Sequence, residues 1–240
     1  MIKPEIKRFG DRAVLLEWPD SIDIETHNSV LSWNYYLSEA FGEVIEDIVP
    51  AYSSLCAFLR SRDLTDQFIR QFKDMEPPSI KSVNQNWHYY LPVCYHKEYG
   101  PDLDLVAEQL GLEQSKLVRL HTAPVYRVYF TGFLPGFPYL GGLDPQLWLA
   151  RKASPRPLVP KGAVGIGGQQ TGIYPSASPG GWNLIGNCPI PLFDSSLEPP
   201  ALLQAGDALS FVPVSKDEYS QIQEQLEQST YSIIKKPIHA

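Results

Sequence analysis

Five basic residues, Arg127, Arg151, Lys152, Arg156 and Lys161, fall between positions 121 and 188, where Asp144 is the only acid. The whole chain is the reverse, with 20 Lys and Arg against 27 Asp and Glu and a formal net charge of −7. A basic stretch inside an acidic chain points to a small anionic ligand, a carboxylate or a phosphate. Arg156 is the candidate clamp, because a guanidinium presents a planar fork of donors to such a group; fixing a loop carbonyl is its competing role. The same stretch holds 12 of the 17 glycines. Glycines there either let backbone amides approach a ligand or serve the corners and bulges of a β structure.

Familiar catalytic motifs do not fit these residues. Gly165-Ile166-Gly167-Gly168 lacks the third glycine of a dinucleotide fingerprint, since Gln170 holds that place. Neither a P-loop nor a nucleophile elbow is present. His27, His88, His96 and His239 show no metal-ligand spacing, so no metal site is expected. Cys56, Cys94 and Cys188 are far apart and odd in number, which argues for reduced thiols and a cytoplasmic setting. The acidic balance disfavours nucleic acid as a partner. The opening residues give no expectation of a secretory leader, and no apolar run in the sequence reaches membrane length.

The elements that must position the basic stretch divide in two. Residues 1–82 read as β-β-α-β-β-α: short apolar runs at 6–9 and 13–18 around a Gly10-Asp11 turn, a helix over 22–41 closed by Gly42, strands at 44–49 and 54–59, and an amphipathic helix over 65–75 capped by Thr65 or Asp66. Pro77 to Gln85 is polar and proline-bearing, a domain boundary. In 83–240 a strand at 87–93 precedes short helices at 102–110 and 113–120; runs such as 125–130 and 209–214 then alternate with Gly/Pro punctuation, followed by a helix at 217–229 and a strand at 231–234. The pattern predicts an α+β chain, a small α/β sandwich followed by a β-barrel or β-sandwich with long ordered loops.

Several longer motifs carry a resemblance to a known family. Gly132-Phe133-Leu134-Pro135-Gly136-Phe137-Pro138-Tyr139-Leu140 looks like a GF-x-PGF-x-YL signature. Pro155-Arg156, Val159-Pro160, the run from Gly165 to Pro175, and Ser178-Pro179-Gly180-Gly181-Trp182 with Leu184-Ile185-Gly186 follow in order. Together they resemble the family of the 5-oxoprolinase B subunit, also described as allophanate hydrolase subunit 1-like. Two departures stand out: Lys161 follows Val-Pro where the family more often has a small residue, and Ala205 and Ser210 replace the Pro and Arg of a PGD-x-VRF element.

The resemblance implies a cyclophilin-like barrel. It implies work with a second subunit of the same barrel superfamily and a third component, in opening 5-oxoproline to glutamate with ATP and Mg²⁺ bound in a composite site. Some members inhibit a sporulation sensor histidine kinase by binding its dimerisation domain. On this footing His121 would move a proton, with a hydrogen-bonded helix-end histidine as the alternative. Gln169 and Tyr174 would orient the ring amide, Lys161 would add a cation, and Trp182 would wall the pocket or, the favoured account, fill the barrel core. Phe133, Phe137 and Tyr139 would line a partner groove, with burial favoured for Phe133.

Overall fold

The computed structural model describes residues 3–20, 22–78 and 86–238. These belong to two compact units, Met1–Asn84 and Gln85–Ala240. The expected 82/83 boundary and His239 lie outside the described residues.

The first unit contains β1 (Glu5–Arg8), β2 (Ala13–Glu17), α1 (Ile24–Phe41), β3 (Ile45–Pro50), β4 (Ser54–Leu59) and α2 (Arg62–Phe72). Its antiparallel sheet runs β1-β2-β4-β3. Gly10 turns the first hairpin at φ 72°, a left-handed conformation that costs glycine nothing. Asp23 caps α1 by accepting the Thr26 amide at 2.8 Å. Helix α2 begins earlier than the sequence suggests: Ser61 is its cap, accepting the Leu64 amide at 3.4 Å, and Thr65 lies inside the helix with its hydroxyl donating to the Ser61 carbonyl. Trp33, Leu37, Phe68 and Phe72 pack the helices onto Leu16 and Leu55 of the sheet.

The second unit contains β5 (Trp87–Cys94), α3 (Leu103–Leu110), α4 (Gln114–Thr122), β6 (Tyr126–Thr131), β7 (Pro138–Gly141), a 3-10 turn (Pro145–Leu147), β8 (Arg156–Val159), β9 (Ala163–Gly167), β10 (Gln170–Ile173), β11 (Ser178–Gly180), β12 (Asn183–Asn187), β13 (Ala208–Val214), α5 (Lys216–Glu227) and β14 (Lys235–Pro237). The order β5-β12-β9-β10-β7-β6-β13 returns to β5, so the sheet closes into a barrel. The β13–β5 ladder is parallel and the others are antiparallel. One edge of β5 is shared: Cys94 pairs with Asn187 of β12, while Trp87 to Tyr89 pair with β14. The last strand therefore forms at Lys235–Pro237, where β5 offers pairing partners, and not at 231–234 as the apolar run suggests. Strands β8 and β11 form a separate two-stranded ladder.

Alternation along each barrel strand makes two cores. Val164 and Ile166 of β9, Ile173 of β10 and Ile185 of β12 point inward, where Leu103, Val106 and Leu117 of the two short helices join them. The intervening positions face outward under Phe137, Tyr174, Trp182 and Leu184, a second apolar layer outside the barrel. Helix α5 starts at a capping box in which Ser215 and Glu218 satisfy each other's amides, at 3.2 and 2.7 Å. Ser215→Ala is expected to cost about 1 kcal/mol, read as a lower midpoint in urea denaturation; an unchanged midpoint would show that the cap contributes nothing.

Candidate functional site

The outer layer is built on glycines. A Cβ at Gly167 would lie 2.6 Å from the Trp182 indole, and one at Gly172 would lie 3.1 Å from Phe137 and 3.2 Å from Trp182. Only strands bare of side chains on that face let the rings approach so closely. Phe137, Tyr174 and Trp182 then meet edge to face, with centroids 5.3, 5.5 and 6.4 Å apart. Trp182 is thus interior to this layer, although outside the barrel proper.

A tight loop leads into the layer. Gly132 accepts the Leu134 amide at 2.8 Å with Phe133 between them at φ 66°, a γ-turn, and the Phe137 amide returns to the Leu134 carbonyl at 3.0 Å. Phe133 is consequently thrust outward and is 63% exposed. That corrects its expected burial: the turn aims its ring away from the core, leaving edge contacts with Phe137 and Tyr174. Phe137, by contrast, is interior and cannot line an open groove, while Tyr139 is half-buried and stacked on Phe130 at 4.4 Å.

Three of the five basic residues gather beside this layer. Arg151 is exposed, with its guanidinium 5.8 Å from the Trp182 ring. Arg156 Nη2 and Lys152 Nζ converge on Asp102 Oδ1 at 2.5 and 3.2 Å. The other carboxylate oxygen accepts the Leu184 amide at 2.7 Å, and the Asp102 amide donates to the Leu184 carbonyl at 2.9 Å. Burial pushes the Asp102 carboxyl upward, but the Arg156 hydrogen bond, the Leu184 amide and the nearby cations outweigh it and hold the group below the usual carboxylate range. Arg156 Nη1 is buried and has no hydrogen-bond partner, and Gln170 Oε1 is in the same condition. Both ask for a group the described residues do not supply.

Asp102 was not legible as a site residue. From the sequence it is a helix-start aspartate, yet its side chain makes no capping bond and turns instead toward residues 50 to 82 positions away.

His121 is placed differently from the expectation of a proton carrier. It is fully buried in the last turn of α4; Nδ1 meets the Tyr95 hydroxyl at 2.8 Å and Nε2 meets the Thr171 hydroxyl at 2.9 Å. Because the Thr171 hydroxyl donates to the Gly165 carbonyl at 2.9 Å, it must accept from Nε2–H, so Nδ1 accepts from Tyr95. Burial lowers the His121 pKa to about 3, keeping the ring neutral. The hydrogen-bonded helix-end histidine is the account that fits.

The remaining candidates scatter. Gln169 and Lys161 are exposed, and the Lys161 carbonyl accepts the Asn187 side chain at 2.9 Å. Tyr174 is buried, its phenol raised by burial and lowered by the Trp182 amide and the charges of Arg151 and Arg156. Ser210 is paired with His88 at 3.0 Å. Among the described residues no three His, Cys, Asp or Glu side chains gather to hold a metal, and no helix is long and apolar enough to cross a membrane.

The family "Carboxyltransferase domain, subdomain C and D" matches residues 4–203. The chain is 34% identical over 237 residues to the 5-oxoprolinase B subunit of Bacillus subtilis, a match that covers 93% of this chain and 98% of that protein. It is 37% identical over 212 residues to the corresponding protein of Escherichia coli O157:H7, covering 85% of this chain and 94% of that one. The crystal structure of Kluyveromyces lactis urea carboxylase superposes with a TM-score of 0.79 at 19% identity, over 98% of this chain and 24% of that one, and so shares the fold. With near-complete coverage of relatives at this identity, the chain belongs to the family of the 5-oxoprolinase B subunit, built on the fold of carboxyltransferase subdomains C and D.

Proposed function

We propose that this chain is the B subunit of an ATP-dependent 5-oxoprolinase and acts with partner subunits to open 5-oxo-L-proline to L-glutamate. Family membership supports the reaction class, and the observation that carries the site is the half-satisfied Arg156 beside the aromatic layer. In net terms water adds across the ring amide: the C–N bond breaks, the carbonyl carbon gains water's oxygen as a new carboxylate, and the released nitrogen takes up both of water's protons to become an ammonium. Arg156 binds the substrate carboxylate. Tyr174, its phenol kept protonated because burial dominates its titration, belongs to the aromatic layer beside Arg156, and the exposed Gln169 has no shared position with it from which both could hold the ring amide.

His121 takes no part in the proton transfer, since both its nitrogens are engaged within the core. ATP provides the driving force for opening a stable lactam. We assign the nucleotide and its magnesium to a composite site completed by a partner. The chain alone is expected to be inactive, and its co-expression with partner subunits is expected to give 5-oxoproline-dependent ATP hydrolysis with glutamate as product. In that complex Arg156→Met should lower kcat/KM by about 10- to 100-fold, the size of a lost charged hydrogen bond. Full lactam opening by the isolated chain would contradict the composite site.

Phe133 favours a second role for the same molecule. An exposed aromatic held in a strained turn is suited to anchor a partner, such as the dimerisation domain of a sensor histidine kinase. Inhibition of kinase autophosphorylation by the chain, lost in Phe133→Ala, is the expected result; absence of binding to such a domain removes this role.

A further inference from the structure

The Asp102 carboxylate does more than neutralise a cation. It is fixed on the chain from both sides by Leu184, through its own amide and through Oδ2, so its position is set by the β12 backbone. Its remaining oxygen holds one nitrogen of Arg156 and the ammonium of Lys152. One carboxylate between two cations leaves a single positive charge in excess, and the second terminal guanidinium nitrogen, Nη1, is buried without an acceptor. A guanidinium gripped by one terminal nitrogen has little freedom to swing, so the direction of the other is fixed as well. The cluster has the charge and the spare donor to receive one more carboxylate.

We propose that Asp102 is a positioning residue that aims Arg156 Nη1 at the carboxylate of a small monoanionic substrate, with Lys152 supplying the balancing charge. The proposal rests on the reading of this chain as part of a 5-oxoprolinase for the identity of that monoanion, but the carboxylate chemistry is independent of it. Asp102 touches no substrate atom; it acts through Arg156. The contact is made equally in the ground state and the transition state, because the substrate carboxylate is not the reacting group, so its loss appears in KM and not in kcat.

Two measurements test this. Side-chain ¹⁵N resonances of the arginines in the isolated, full-length chain are followed during titration with acetate and with 5-oxoproline. The Arg156 resonance is expected to shift with both in the wild type, and the shift is expected to be lost in Asp102→Asn. Failure of both carboxylates to shift Arg156 overturns the positioning role. A shift with acetate, with no 5-oxoproline-dependent ATP hydrolysis by the assembled wild-type complex, leaves the positioning role standing and removes the functional reading instead.

In the active complex, Asp102→Asn should raise KM for 5-oxoproline about tenfold with kcat held within about twofold, and should add nothing to Arg156→Met. Effects of the two substitutions that multiply, or an unchanged KM, overturn the proposal. Should Asp102→Asn fail to fold or assemble, Lys152→Met keeps the Asp102–Arg156 pair and is expected to raise KM by about threefold through charge alone; there too an unchanged KM counts against it.

Discussion

His121→Ala is expected to destabilise the barrel unit by about 3–5 kcal/mol, among the largest effects of a single substitution in this chain. The change strips partners from two buried hydroxyls, Tyr95 and Thr171, and empties a space in which the imidazole is stacked on Phe211 at 4.6 Å. Urea denaturation of wild type and variant measures it; a difference below about 1 kcal/mol would mean the network is not part of what holds the barrel together.

The same residue makes stability depend on pH, and the sign follows from the direction of its shift. The folded-state pKa is pushed down to about 3 by burial, whereas the unfolded imidazole titrates near 6.5. Protons therefore bind the unfolded chain more readily throughout that interval. The stability that depends on a neutral His121 is complete above about pH 6.5 and is lost on acidification toward about pH 3, at about 1.4 kcal/mol for each pH unit. His121→Gln should remove this slope, so the stability difference between wild type and variant narrows as pH falls from 7 to 4. Parallel curves would show that another group titrates. Asp102, whose carboxyl is lowered from the ordinary 3.8, adds to the slope only at the acid end of this interval, below about pH 4.

The second large effect concerns the outer aromatic layer. Trp182→Ala is expected to cost about 3–5 kcal/mol through the cavity it leaves among Phe137, Tyr174 and the β9–β10 glycines. Gly167→Ala alone should cost about 1–3 kcal/mol, since its Cβ would press on the indole at 2.6 Å. Combining the two should cost less than their sum, because removing the indole also removes the clash. Additive losses in the double variant, measured by denaturant midpoints, would place the strain of Gly167→Ala somewhere other than Trp182.

Most helices and the strands rich in side chains were legible because each announces itself locally. Apolar periodicity marks α1, α2, α3 and α4, and the apolar runs of β4, β5, β6 and β13 carry a side chain at every position. Strands β9, β10 and β12 were not, because glycine at Gly165, Gly167, Gly172 and Gly186 erases half of the alternation that would identify them. Those glycines read equally as ligand-binding loops. Trp182, which fits against them only after the chain has folded, gives them their purpose.

The longer motifs carried the resemblance to the family, while composition, which travels with the chain, was enough to establish the basic character of the 121–188 stretch. Folding was needed to decide which of its basic residues act together, for Arg156 meets Asp102 across 54 positions and Leu184 meets the same carboxylate across 82. It likewise separated the two accounts of His121, placing it as a neutral, hydrogen-bonded core residue. Charge state and hydrogen-bond partner depend on burial and on groups brought in from elsewhere in the chain, and neither is a property of a residue's neighbours in sequence.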